Sequence, residues 1–232
     1  MTDTTMDTRS HRVTGPPLLG PAIVYAVLTI LAVAVPPLMA GERPWASDSA
    51  LLDFYAHHGA AAHAGAFFTF GAAIPLAVFT AVSTTRLRTL GFDVAGRIIA
   101  LVGGVGAAAM LAVAGLTELA LTQSHVAESA ATVRGLNGLV FALGGPGFVV
   151  FAGLLLAGVS VVGLIGGALP RPLAWFGLVV AVISELATLA VAFSDLSFLL
   201  PIGRFGGLIW IIAVGALLPA TRRDPRFGKG HG

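Results

Sequence analysis

The sequence predicts an all-α integral membrane protein, a bundle of six transmembrane helices with both termini in the cytoplasm. Of its 232 residues, 56% are hydrophobic and only 10% are charged, whereas charged residues make up about 25% of soluble domains. Six apolar stretches of about 20 residues are each long enough to cross about 30 Å of hydrocarbon as a helix. Basic residues collect in every second connection and in both tails.

The chain divides into three segments. Residues 1–17 are predicted to be a disordered cytoplasmic tail, residues 18–219 the six-span domain, and residues 220–232 a basic cytoplasmic tail. The predicted spans cover residues 18–39, 59–82, 97–122, 138–169, 172–193 and 198–218. A cleaved signal peptide is the alternative interpretation of the first span, but its apolar run exceeds the roughly 7–15 residues of a signal core.

The connections on the outer side are expected to be polar and partly helical. Residues 41–58 are predicted to lie outside, with a short surface helix beginning at Leu51, and residues 123–133 to form a short polar loop. The fourth apolar stretch is too long for a straight crossing and contains the sequence Gly-Gly-Pro-Gly at 144–147. We expect it to be tilted, kinked at that sequence, or prolonged beyond the bilayer.

The orientation follows from the distribution of positive charge. Ten of the thirteen Lys and Arg residues fall on one side of the predicted membrane, and Arg43, Arg134 and Arg204 are the three on the other. Because cytoplasmic loops carry an excess of Lys and Arg, the richer side is predicted to be the cytoplasm and the membrane to be the plasma membrane. The orientation therefore accounts for the net charge of +2, and no nucleic-acid partner is predicted.

Ionisable residues within the spans concentrate in the outer halves. Such residues are costly in hydrocarbon and usually face the interior of the bundle. We therefore expect Glu118, Glu185, Arg204, Arg134 and Asn137 to form one outward-facing buried cluster, with Arg204 paired to Glu185. Two interpretations stay open, a ligand or proton site and an interhelical clasp that only fixes packing.

Histidines supply the weak candidates for a metal site. Asp53 and His57 are four residues apart and would share a helix face, and His63 and His125 lie at a similar level. No HExxH pair or other tight ligand spacing occurs, and the absence of cysteine excludes disulfides, thiolate ligands and c-type haem. A b-type haem would have only His63 and His125 as axial ligands. No cofactor is predicted.

Three function classes are consistent with these observations. The leading hypothesis is a non-enzymatic structural or regulatory membrane protein, whose predicted partners are membrane lipids, with a small ligand or an accessory protein left open. The second is a small transporter or proton-coupled carrier that uses Glu185 and Glu118, with Arg204 as counter-ion. The third is a metal-dependent membrane enzyme at the outer face.

The second half of the chain also carries a family resemblance. The matching segments are LVFALGGPGFVVFAGLLLAGVSV at 139–161, LPRPLAWFGLVVAVISEL at 169–186 and RFGGLIWIIAVGALLP at 204–219. With these segments the chain resembles the bacterial multi-pass membrane family catalogued as domain of unknown function 4386. The resemblance implies a multi-pass protein of a bacterial plasma membrane and attaches no activity or catalytic residue to it.

Overall fold

The structure, a computed structural model, describes residues 17–41 and 47–221 and is all-helical over these ranges. The two tails expected to be disordered lie outside the described residues, apart from positions 17, 220 and 221. The α-helices are α1 (Leu19–Ala40), α2 (Asp48–His57), α3 (Gly59–Thr89), α4 (Ala95–Leu121), α5 (Ser124–Ala127), α6 (Ala130–Ala142), α7 (Phe148–Ile165), α8 (Arg171–Leu186) and α9 (Leu199–Leu217). A π-helical turn (Leu143–Gly147) joins α6 to α7, and two 3₁₀ turns (Ala187–Val191 and Ser194–Phe198) join α8 to α9.

Six helical stretches of the described residues are long and apolar enough to cross a membrane, which confirms the predicted number. They are Leu19–Ala40, Gly59–Thr89, Ala95–Leu121, Ala130–Ile165, Arg171–Val191 and Asp195–Leu217. Several boundaries differ from the prediction. The second stretch continues past residue 82 to Thr89, and in this part of the helix the hydroxyls of Ser83 and Thr84 are satisfied by the carbonyl of Thr80. The expected outer loop at 123–133 is mostly helical, and Ser129 caps α6 by accepting from the Thr132 N–H.

The six long stretches pack as a ring in chain order. α1 packs against α3, α3 against α4, α4 against α7, α7 against α8 and α8 against α9, and α9 returns to α1. Tyr25, Phe79 and Trp210 are among the largest side chains fully buried inside this ring. Neighbours in sequence are therefore neighbours in space, and each helix exposes its remaining surface to the surroundings.

Small residues set the distance between α4 and α7. A Cβ at Gly103 would lie 2.5 Å from the backbone nitrogen of Leu155, and a Cβ at Gly158 would lie 2.7 Å from that of Ala100. Neither position has room for a side chain. The helices approach at backbone contact, which is the usual mode of association where no water drives helices together.

The fourth apolar stretch is kinked, which was one of the three expectations for its length. The kink is the π-helical turn Leu143–Gly147, in which Gly145 departs from helical geometry with φ −86° and ψ −106°. Pro146 follows and has no N–H to donate. The helix ladder is therefore interrupted at this turn, and α6 and α7 are two segments of one crossing.

Candidate functional site

A cavity of about 370 Å³ lies under α2, at the end of the bundle where α2 is found (the α2 end). Its walls come from α1, α2, α4 and α6. The lining residues combine polar and apolar groups: Ala32, Pro36, Ser47, Asp48, Leu51, Phe54, Tyr55, Glu118, Asn137 and Val140. A cavity of this volume is within the range of small-molecule sites. Two residues of the predicted cluster, Glu118 and Asn137, therefore line the same cavity.

Glu118 contributes the only carboxylate of a membrane-spanning helix to this lining. It lies one turn before the end of α4, and its Oε1 would be 2.6 Å from a Cβ at Gly65 of α3. Gly65 thus provides the space in which the carboxylate sits, with Pro36 of α1 on the other side. Thr69 of α3 lies close to the Glu118 carboxylate. Among the described residues, no Lys, Arg or His side chain forms an ion pair with it.

The aromatic residues of α2 close the cavity from above. Phe54 and Tyr55 are 2% and 6% exposed, and their rings pack edge to face with centroids 5.2 Å apart. Burial raises the pKa of the Tyr55 hydroxyl, and the nearby negative charge of Glu118 raises it further. Tyr55 is therefore neutral at physiological pH and keeps its proton as a hydrogen-bond donor beside the carboxylate.

Arg134 lies at the rim of the cavity and is paired with Asp48, an interaction that the sequence did not predict. The Arg134 Nε and Nη2 donate to Asp48 Oδ1 and Oδ2 at 2.8 and 2.7 Å. This bidentate pair joins the first residue of α2 to α6 and lowers the pKa of the Asp48 carboxyl. The Ser47 hydroxyl caps α2 by accepting from the Ala50 N–H at 3.1 Å. Both contacts hold α2 over the cavity.

Glu185 lies elsewhere, on the outward surface of α8. Its side chain is exposed and lines a shallow groove of about 300 Å³, whose other lining residues are Ala157, Leu178, Ala181, Val182 and Leu186. One carboxylate oxygen rests against Gly153 of α7. The cluster expected from the sequence is therefore divided, because α8 directs Glu185 away from the cavity that holds Glu118.

Arg204 does not pair with Glu185, so that part of the prediction is wrong. Its guanidinium donates instead to the carbonyl oxygen of Gly144 and lies 4.9 Å above the centroid of the Phe148 ring. Tyr25 is close enough to interact with it electrostatically. The physical reason is the kink of the fourth crossing, which leaves a carbonyl in need of a donor. The Gly144 carbonyl at the kink and the Arg204 guanidinium therefore satisfy each other's hydrogen-bonding needs.

The candidate metal ligands form hydrogen bonds with separate partners. The His57 Nδ1 contacts Asp53 Oδ1 at 2.8 Å, and both ring nitrogens of His63 are engaged, with the Gly59 carbonyl and the Thr122 hydroxyl. His125 lies in the short helix α5. In the part of the chain that the structure describes, no three His, Asp or Glu side chains are grouped as a metal site. The metal and haem hypotheses gain no support from this geometry.

Sequence reasoning missed most of the cavity lining. Asp48, and Thr69 close to Glu118, were not singled out, although the serine-aspartate sequence at 47–48 is a recognisable helix start. That signal would have placed the beginning of α2 three residues earlier and drawn attention to its aromatic face. Thr69 carries no such signal, because its role depends on how α3 and α4 pack.

Comparisons of the chain with protein-family models, with curated proteins and with solved structures gave no match. The resemblance to the family of domain of unknown function 4386 therefore stays a prediction.

Proposed function

We propose that this chain is a non-enzymatic multi-pass protein of the bacterial plasma membrane that binds a small organic cation in the cavity under α2. The ligand class is an ammonium group attached to an apolar body. Binding at this position would serve a regulatory or sensing role, in agreement with the leading hypothesis from the sequence.

One observation carries the proposal: the Glu118 carboxylate faces a cavity and has no cationic partner among the described residues. None of the lining residues is a Lys, Arg or His, and Arg134, which is paired with the lining residue Asp48, is already neutralised by it. A buried carboxylate without a counter-charge is unfavourable in a low-dielectric environment. An ammonium ligand would supply that charge and donate hydrogen bonds at the same time.

The rest of the lining suits the same ligand class. Phe54 and Tyr55 offer aromatic rings, which attract cations through their faces. Asn137 offers an amide oxygen as an additional acceptor. The remaining wall includes Leu51 and Val140, which would contact an apolar body. An anion would be repelled by Glu118, and a purely apolar molecule would leave the carboxylate unsatisfied.

The two other function classes have less support. The carrier hypothesis keeps Glu118 but loses its counter-ion, since Arg204 is engaged by the Gly144 carbonyl and Phe148. It also loses Glu185, which lies on the surface of α8. The enzyme hypothesis depends on Asp53, His57 and His63, and the structure distributes these among different contacts.

The proposed orientation places the cavity outside the cell. Six crossings leave both termini on one side, and the excess of Lys and Arg identifies that side as the cytoplasm. The chain has no cysteine, so a single Glu128→Cys variant in intact cells reports the side directly. We expect an impermeant maleimide to label it, and absence of labelling until the cells are opened would reverse the orientation.

Calorimetry with matched ligands tests the binding proposal. Benzylammonium, benzyl alcohol and benzoate share a ring and differ in charge, and each is titrated into the purified protein in lipid nanodiscs. We expect binding of benzylammonium alone, and a Glu118→Gln variant should weaken it about tenfold or more, because hydrogen bonds to charged groups contribute about 1.5–3 kcal/mol.

Glu128→Gln is the matched control, since Glu128 is an exposed glutamate that does not line the cavity. Its affinity for benzylammonium should equal that of the unmodified chain. Equal binding of benzyl alcohol and benzylammonium, or unchanged affinity in Glu118→Gln, would rule out the carboxylate as the recognition element.

A further inference from the structure

Glu185 is a carboxylate on the exposed surface of the bundle that has no partner among the described residues. It lies on α8, six residues before Val191, where the apolar stretch ends, and is therefore roughly 10 Å inside that stretch. No hydrogen bond or ion pair to Glu185 is formed by the described residues. Ionisable groups in such positions are expensive and usually have a partner.

The surroundings of Glu185 are apolar and shaped as a groove. All five other lining residues are Ala, Val or Leu, contributed by α7 and α8. Val179, Val182 and Leu186, on the same helix, are 55%, 59% and 49% exposed. The side chains of Ala157 and Ala181 are small, so the groove is open enough for another helix to approach closely.

We infer that this groove receives a transmembrane helix of a different protein, which places a basic side chain against Glu185. Charge complementarity selects this occupant: the carboxylate requires a cation or a strong donor at its own depth, and the groove requires an apolar helix around it. A transmembrane helix with one Lys or Arg near the level of Glu185 supplies both.

A second copy of this chain satisfies the requirement less well. The basic residues described in the half of the bundle at the α2 end are already engaged, Arg134 by Asp48 and Arg204 by Gly144 and Phe148. In a symmetric contact between two copies through this groove, Glu185 would meet another Glu185 instead of a cation. The inference is independent of the cavity under α2, because no residue lines both the cavity and the groove.

Synthetic transmembrane peptides provide a defined probe. One leucine-alanine peptide carries a single arginine about six residues from the end of its apolar stretch, the depth of Glu185, and the matched peptide carries leucine there. Energy transfer between the labelled full-length chain and each peptide is measured in phosphatidylcholine vesicles. We expect the arginine peptide to associate about 3- to 30-fold more tightly than the leucine peptide, the range of interhelical polar contacts in membranes.

Variants of the chain then assign the effect to the groove. Glu185→Leu should abolish the difference between the two peptides, and Glu185→Gln should reduce it; both substitutions are on an exposed position and should leave the fold intact. Glu128→Gln is the control and should preserve the full difference.

Three results would overturn the inference. The first is equal association of the arginine and leucine peptides with the unmodified chain. The second is energy transfer between copies of the chain that disappears in Glu185→Leu, which would identify a second copy as the occupant. The third is loss of the arginine preference when phosphatidylethanolamine replaces part of the phosphatidylcholine, which would identify a lipid amine instead.

Discussion

The cavity under α2 and the groove between α7 and α8 each contain one glutamate of an apolar helix. The two glutamates differ in burial and in their neighbouring groups. Glu118 is half-buried, rests in the space left by Gly65 and has Thr69 close by. Glu185 rests against Gly153 but is exposed, with no donor among the described residues. Both lie near the carboxyl end of their helices, so position along a span does not determine the surroundings. The surroundings are determined by the side of the helix on which the glutamate lies.

The largest expected effect is the loss of stability on replacing Arg204, which tests whether Arg204 pairs with Glu118 or Glu185 or with neither. Arg204→Met removes the donor to Gly144 and the contact with Phe148, and we expect it to lower the free energy of unfolding by about 3 kcal/mol, the sum of an unsatisfied carbonyl and a lost cation–π contact. Unfolding in mixed detergent micelles measures the change.

Combining Arg204→Met with Glu185→Gln sharpens the same test. Residues without a shared partner have additive effects within about 0.5 kcal/mol, so the double variant should match the sum of the single variants. A coupling energy above about 1 kcal/mol would support the Arg204–Glu185 ion pair expected from the sequence.

An intermediate effect is expected at Gly65. A Cβ there would lie 2.6 Å from the Glu118 Oε1 and 3.1 Å from the Pro36 Cγ. Gly65→Ala should therefore lower the free energy of unfolding by about 1 kcal/mol or more, as overpacking does, and should weaken benzylammonium binding. Thermal unfolding and calorimetry on the same samples measure both quantities.

Gly138→Ala is the matched control for Gly65→Ala. Gly138 lies on α6, and nothing is within 4 Å of the position that its Cβ would occupy. The substitution should raise stability by up to about 1 kcal/mol through helix propensity. If the two alanine variants behave alike, the Glu118 carboxylate is not confined as described.

The smallest effect is expected at the rim of the cavity. Because Arg134 lowers the pKa of Asp48 below its ordinary value of 3.8, their pairing stabilises α2 at neutral pH. This contribution is lost as pH falls through the lowered pKa. Hydrogen exchange of the α2 amides, corrected for intrinsic rates, should accelerate modestly below about pH 4.

Asp48→Asn should show the faster exchange already at neutral pH, with no further acid-induced change in α2. The effect is small because both side chains are half-exposed and salt screens the pair. If exchange accelerates in acid to the same extent in the unmodified chain and in Asp48→Asn, a group other than Asp48 is responsible for the acceleration.

The sequence predicted the six apolar helices because hydropathy over about 20 residues is a local property. It also offered a kink at residues 144–147 as one of three expectations for the long fourth stretch. It did not predict the partners of the polar residues. The fifth span is apolar around most of its circumference, so no periodicity indicated which way Glu185 points. The acceptor of Arg204 is a backbone carbonyl, which the one-letter sequence does not distinguish from any other.

The closure of the ring between α9 and α1 has a consequence for biogenesis. Each long helix packs against the one that precedes it in the chain. One face of α1 also packs against α9, where Ala22 and Leu19 contact Gly215, and this contact forms only after α9 has been made. A nascent chain that stops before α9 presents this face of α1 to lipid. We expect such truncated products to be recognised by membrane proteases, while a separately expressed α9 segment should complement them.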